Sequence, residues 1–140
     1  MNQEHEQLRK DVTARLVRNG ITPTRQRVEI GMRLFDCDKH ITADQLLERV
    51  NRGNGEVSKA TVYNTLGLFA AKGLLREVVV DPGKQIFDTN VSPHHHLYNV
   101  DTGELRDIES RDLVVSGLPA LETGIEITGV DIVVRVRNAG

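Results

Sequence analysis

Ser58-Lys59-Ala60-Thr61-Val62-Tyr63-Asn64-Thr65-Leu66-Gly67-Leu68-Phe69-Ala70-Ala71-Lys72-Gly73 runs directly into Leu74-Leu75-Arg76-Glu77-Val78-Val79-Val80, then Asp81-Pro82-Gly83-Lys84, then Gln85-Ile86-Phe87-Asp88. The first part reads as a helix over about Lys59 to Lys72, capped by Ser58, because Val62, Leu66, Phe69 and Ala70 fall on one stripe. Ala60, Thr61, Asn64 and Gly67 fall on the opposite side, with Tyr63 at its edge. Alone, this segment is equally a short amphipathic helix with a plain solvent face and a helix whose small outer residues let it lie in a major groove, with Asn64 able to read a base edge. The next part decides between them. Two short apolar runs around Asp-Pro-Gly-Lys describe a β-hairpin. Helices followed directly by such a hairpin form a winged helix, in which the last helix enters the groove and the hairpin touches the DNA backbone; Lys84 at the tip suits a phosphate.

Upstream, three more helices are predicted. Leu8, Val12, Leu16 and Val17 recur at helical spacing up to the cap signal Asn19-Gly20. Thr22-Pro23-Thr24 starts a second helix carrying Val28, Ile30, Met32, Leu34 and Phe35 and ending near Cys37. Thr42 caps a third, with Asp44 in its first turn and Leu46, Leu47 and Val50 on one side, stopped by Asn51-Arg52-Gly53-Asn54-Gly55. Downstream the pattern turns to strands: His96–Val100, a turn at Asp101-Thr102-Gly103, Glu104–Ile108, a weak helix over about Arg111 to Leu121, and an Ile- and Val-rich run from Ile125 to Val136. The fold class is therefore α+β, a DNA-binding winged helix over 1–87 and a small α/β unit over 88–140. That second unit is too small to bury a comfortable core alone, so a homodimer is expected.

Composition sets the outer bounds. The chain has 140 residues, 39% hydrophobic and 27% charged, and net charge −2. Residues 1–80 carry 13 Lys and Arg against 10 Asp and Glu, whereas residues 81–140 carry 5 against 10. A basic front half suits a polyanion partner, although a charge of +3 is also what an ordinary solvated surface carries. No apolar run approaches the roughly 18 residues needed to span a bilayer, so no membrane partner is expected. The polar, acidic start from Met1 to Glu6 fits neither a secretory signal nor a mitochondrial presequence, and the expected compartment is the cytoplasm. The single cysteine, Cys37, can form neither an internal disulfide nor a cysteine-rich zinc cluster; beside Asp38 it reads as a partly buried hydrophobe. Any metal must therefore use His, Asp or Glu.

Pro93-His94-His95-His96-Leu97 supplies the obvious donors. In an extended segment His94 and His96 point to one side and His95 to the other, so the pair can chelate one ion. Asp88 precedes His94 by six residues, Asp107 lies on the strand opposite, and His40 sits in the link between the second and third helices. Taken singly, both aspartates read as solvated strand ends and His40 as a loop histidine. Together they form a nitrogen and oxygen set without thiolate, which suits Fe(II), Mn(II) or Zn(II).

The succession Thr22-Pro23-Thr24-Arg25-Gln26-Arg27, Ala60-Thr61-Val62-Tyr63-Asn64-Thr65-Leu66, Phe87-Asp88 and His94-His95-His96 resembles the ferric uptake regulator family of bacterial metal-responsive repressors, over roughly residues 8 to 136. The resemblance implies a winged helix joined to an α/β dimerisation domain, a double-stranded DNA operator as partner, and a regulatory metal between the domains. The family's peroxide-sensing branch uses a His, Asp, His-x-His, Asp set, and His40, Asp88, His94, His96 and Asp107 match it in order and spacing. It further implies that Tyr63 is a DNA-contacting tyrosine and that Arg25 lies in a basic approach segment. The DNA-facing set is then Arg25, Ser58, Lys59, Thr61, Tyr63, Asn64 and Lys84.

Departures from the family pattern are informative. Where many members carry a first Cys-x-x-Cys for a structural zinc, Asn99 and Thr102 stand, and no cysteine lies near the C-terminus, so no structural zinc held by cysteines is expected. A further site of some iron regulators lacks its C-terminal histidine, Val130 standing near that place, which leaves one divalent metal per subunit. The triple histidine and the missing cysteines also resemble the iron-responsive, haem-sensing branch. His95 is the residue left over for haem, a solvent-exposed side chain being its plainer reading. The function these features imply is a metal-dependent repressor sensing peroxide through bound iron or manganese, with a haem-responsive iron regulator as the alternative. An enzyme is not expected: five protein ligands leave little room for a substrate, and no nucleophile or general base is evident.

Overall fold

The computed structural model describes residues 3–36, 40–53, 56–81 and 83–140. Cys37, the Asn54-Gly55 part of the loop after the third helix, and Pro82 of the hairpin turn lie outside the described residues. The chain divides into two compact units, Met1–Val91 and Ser92–Gly140.

The first unit contains α1 (Gln3–Arg18), α2 (Arg25–Phe35), β1 (His40–Thr42), α3 (Ala43–Gly53), α4 (Lys59–Ala71), β2 (Arg76–Asp81) and β3 (Lys84–Asp88). Side-chain caps fix where the helices begin. Thr24 Oγ1 accepts from Arg27 N at 3.3 Å and Ser58 Oγ from Thr61 N at 3.1 Å. Thr42 and Gln45 form a reciprocal capping box, Gln45 N donating to Thr42 Oγ1 at 3.1 Å and Thr42 N to Gln45 Oε1 at 2.9 Å. Two of the helices end alike. Gly20 and Gly73 adopt φ of +74° and +81°. The following Ile21 N and Leu74 N reach back to Leu16 O and Phe69 O, and the buried Ile21 and Leu74 seal these Schellman ends.

Leu16, Ile30, Leu34, Leu46, Val62, Leu66 and Phe69 are fully buried and form the centre of this unit. Val17, expected with them, is instead 58% exposed, because it lies about 100° round the helix from Leu16. Helices α1 and α2 approach closely at Gly31, where a Cβ would stand 2.7 Å from Val12 Cγ1. Gly31→Ala is therefore expected to destabilise the protein by about 1 kcal/mol in urea unfolding, the overpacking outweighing alanine's better helix propensity.

Strands β2 and β3 form the expected hairpin, with Gly83 at φ +83° in its turn and a register shift between Val79 and Asp81. Strand β1, in the segment expected to be only a link, pairs antiparallel with the other edge of β3, giving the order β1-β3-β2. The ladder sets His40 opposite Asp88. Asp88 is thus held by the first unit's sheet.

The second unit is a three-stranded sheet in the order β5-β4-β6, from β4 (His94–Asn99), β5 (Leu105–Glu109) and β6 (Val133–Val136). Strand β4 is central, antiparallel to β5 and parallel to β6. The helix expected over Arg111 to Leu121 is not formed: there is a single 3-10 turn at Ser110–Asp112. Branched Val114 and Val115, Gly117 at φ +78° and Pro119 each oppose a helix there. The run from Ile125 likewise contributes strand only from Val133, with Ile125 and Ile127 exposed. The turn after β4 is tied to the chain's end by side-chain amides. Asn99 Nδ2 donates to Asn138 Oδ1 at 2.9 Å, Asn138 N donates to Asp101 Oδ2 at 2.8 Å, and Asn99 Oδ1 accepts from the backbone of Asp101 and Thr102.

Candidate metal centre and nucleic-acid interface

In the first unit the cross-strand register brings His40 Nε2 to 3.3 Å from Asp88 Oδ2. The Asp88 side chain is wholly buried, and its other oxygen accepts from Asn90 N at 2.8 Å, in a turn that fixes the carboxylate's direction. A buried carboxylate is costly unless partnered, so this one is oriented by the backbone on one side and presented to an imidazole on the other.

In the second unit, β4 presents His94 and His96 two residues apart, and β5 places Asp107 opposite His96. His94 Nε2 lies 3.4 Å and His96 Nε2 3.5 Å from the same oxygen, Asp107 Oδ1. Their rings meet edge to face at 4.6 Å between centroids. His94 Nδ1 lies 2.6 Å from Ser92 O, and donating a proton there fixes the tautomer and leaves Nε2 as the lone-pair donor. Two imidazole nitrogens and one carboxylate oxygen thus converge within one unit. Ligands at bonds of about 2.0–2.1 Å to one ion stand roughly 3–3.5 Å apart, and the His40–Asp88, His94–Asp107 and His96–Asp107 distances each meet that spacing. Their donor types fit borderline divalent ions.

His95 departs from the exposed reading. It is buried, at 7% exposure, and its Nδ1 accepts from Ile132 N at 3.2 Å, so its proton lies on Nε2. The segment leading into β6 covers the face of β4 that strand alternation had assigned to solvent. Neither the Ser92 carbonyl nor the Ile132 amide has any signature in sequence, so neither partner is legible there.

Of the seven residues expected to face DNA, five line two hollows of the first unit, and Ser58 and Lys59 line neither. Arg25, Thr61 and Asn64 share one, of about 490 Å³, with Thr24, Gln26 and Leu68. Tyr63 and Lys84 share the other, of about 540 Å³, with Asp44, Glu77, Val79 and Gly83 between helix and wing. Arg25, Asn64 and Lys84 are exposed, as is Tyr63 at 38%. Lys59 lies over the Tyr63 ring, 5.6 Å from its centroid. The Ser58 and Thr61 hydroxyls are 2.9 Å apart and already engaged at the helix cap. Sequence reasoning missed Asp44 as a member of this surface, although its place in the first turn of α3 was evident.

The profile of the Ferric uptake regulator family matches residues 18–135. The chain belongs to the ferric uptake regulator family. The peroxide-responsive repressor PerR of Staphylococcus aureus strain Mu50 is 30% identical over 106 residues, 76% of this chain and 70% of that one. Its counterpart in strain USA300 is 29% identical over the same span. Among solved structures, the ferric uptake regulator from Pseudomonas aeruginosa with manganese superposes with a TM-score of 0.72 at 25% identity, covering 91% of this chain and 98% of that one. The Vibrio cholerae ferric uptake regulator gives 0.69 at 20% identity, with 90% and 98% covered. The α+β fold, a winged helix followed by a small strand-rich unit, is that of these regulators. This ferric uptake regulator family member is accordingly a metal-dependent transcription regulator, and its family and fold are not those of enzymes. Among the described residues no helix is long and apolar enough to cross a membrane.

Proposed function

We propose that this protein is a peroxide-sensing repressor that binds operator DNA as a homodimer, switched by one divalent ion per subunit held by His40, Asp88, His94, His96 and Asp107. The observation that carries the reading is the aim of His94 Nε2 and His96 Nε2 at Asp107 Oδ1, with the His40–Asp88 pair as a second, prepared group of donors. The peroxide-responsive relatives, at 29–30% identity, favour peroxide as the signal.

An ion that needs ligands from both units restricts the angle between them. In a dimer that angle sets the separation of two α4 helices, which must match half-sites spaced by whole turns of DNA. Binding of metal and of operator are then coupled by about 1–3 kcal/mol, the usual size for an effector. DNA contacts fall to Arg25, Lys59, Tyr63, Asn64 and Lys84, with Ser58 and Thr61 holding the start of α4 in place. Ferrous iron supplies the peroxide-reducing chemistry when bound, and the residue modified is a ligand imidazole, which takes one oxygen atom from peroxide while the other leaves as water.

The test uses protein loaded without oxygen with Fe(II) or with Mn(II), and a duplex selected from a random pool. Peroxide should release DNA from the Fe(II) form alone, and a peptide containing His40, or His94 to His96, should gain the mass of one oxygen atom. Equal loss from both forms, or loss without a modified histidine, contradicts peroxide sensing. DNA binding indifferent to metal contradicts the switch itself.

A further inference from the structure

Of the carboxylates lining the hollow between helix and wing, that of Asp44 is shared by two side chains of the proposed DNA-facing set. Tyr63 OH donates to Asp44 Oδ1 at 3.4 Å, and Lys59 Nζ stands 3.7 Å from the same oxygen. The three groups come from two elements, Asp44 from α3 and the others from the first turns of α4. Asp44 is the second residue of α3 and lies between the two residues of the Thr42–Gln45 capping box, so its backbone is set by a helix rather than by a loop. A negative side chain in a first helical turn also sits favourably against the helix dipole.

The side chains of Lys59 and Asp44 are 66% and 70% exposed. An ion pair this exposed contributes little to stability, so its consequence has to be sought in binding. A phosphate that approaches Lys59 meets a carboxylate already facing that ammonium, and its own charge is repelled by Asp44. Each phosphate neutralised steepens the salt dependence of DNA binding by about 0.9, and Asp44 withholds part of one such contact. The same carboxylate gives the Tyr63 hydroxyl a partner at 3.4 Å, a contact that favours one direction of the ring before DNA arrives, so less freedom is lost on docking.

We propose that Asp44 is a positioning residue for DNA recognition and a charge brake: it aims Tyr63 while holding the Lys59 charge back from phosphates of any sequence. The inference rests on the reading of α4 as the recognition helix. It predicts that Asp44 lowers affinity for arbitrary DNA more than for a preferred sequence, and so raises the ratio between them.

The experiment uses the full chain loaded with Mn(II), an arbitrary duplex, and a duplex selected by the wild type from a random pool, with anisotropy titrations from low to moderate salt. Asp44→Asn keeps an acceptor for Tyr63 but removes the charge. Affinity for the arbitrary duplex should rise severalfold, up to about eightfold at roughly 0.1 M salt if one full contact is regained, and the slope should steepen by up to about 0.9. The selected duplex should gain less, so the ratio falls. Asp44→Ala also loses the acceptor, and should bind the selected duplex more weakly than Asp44→Asn does. As a second route, Lys59→Gln should cost more of the salt slope in the Asp44→Asn background than in the wild type. An unchanged or shallower slope in Asp44→Asn, with no coupling to Lys59→Gln, overturns the inference while leaving DNA binding intact. A wild type that binds neither duplex overturns the reading of α4, and the inference falls with it.

Discussion

Replacing His96 with alanine is expected to abolish the metal dependence of DNA binding, leaving the variant with the affinity of the metal-free wild type. His96 projects from the central strand of its sheet and faces Asp107 across the ladder, with Nε2 3.5 Å from Oδ1. Its removal takes one of two neighbouring imidazoles from the proposed ligand set, and chelation by the remaining four donors is weaker. Loss of a residue that merely supports a ligand costs about 10–100-fold in metal affinity, so loss of a ligand should cost at least that. The metal-induced gain in DNA affinity, about 5–150-fold for couplings of ordinary size, should then vanish at metal concentrations that saturate the wild type. Anisotropy with Mn(II) and with chelator measures it. His95→Ala is the control, because that ring faces Ile132 N instead; it should retain the metal response. A His96→Ala protein that still responds fully to metal would remove this histidine from the switch.

The largest expected effect on stability is at Phe69. Its ring is fully buried, sits on the inward stripe of α4 and stacks on Phe35 at 6.5 Å between centroids with an 11° interplanar angle. The Arg15 guanidinium lies over the Phe35 ring, 3.9 Å from its centroid, where partial burial and the neighbouring Arg18 hold its pKa below the ordinary value. Phe69→Ala removes one ring of the stack and opens a cavity among Leu66, Leu34 and their neighbours. Such truncations cost about 3–5 kcal/mol, comparable with the whole stability of a small domain. Thermal unfolding should fall by about 12 °C or more, or the first unit should fail to fold at all. A shift of a few degrees would mean that the site collapses around the gap.

How much of this was legible in the sequence depends on how local the signal is. The helix starts at Thr24, Thr42 and Ser58 and the end at Gly20 were readable, because each cap is a bond between residues one turn apart. Strand β1 was not: His40-Ile41-Thr42 is too short to show alternation, and only the ladder with β3 makes it a strand. The weak helix expected over Arg111 to Leu121 is overridden by Gly117 and Pro119. For the donor groups, chemistry and spacing singled out His94, His96 and Asp107, and the structure brings those three together. What spacing does not carry is the covering of His95 by a segment 37 residues away, or the pairing of Tyr63 with Asp44 across 19 residues. Both depend on tertiary packing.

The amide knot of Asn99, Asp101 and Asn138 contains no sulfur, and the chain's one thiol, at Cys37, belongs to the other unit. Oxidants that strip thiolates from a metal-stapled tail find nothing to attack here. On the proposed peroxide-sensing reading, oxidation of a ligand imidazole leaves these hydrogen bonds between the turn after β4 and Asn138 chemically untouched.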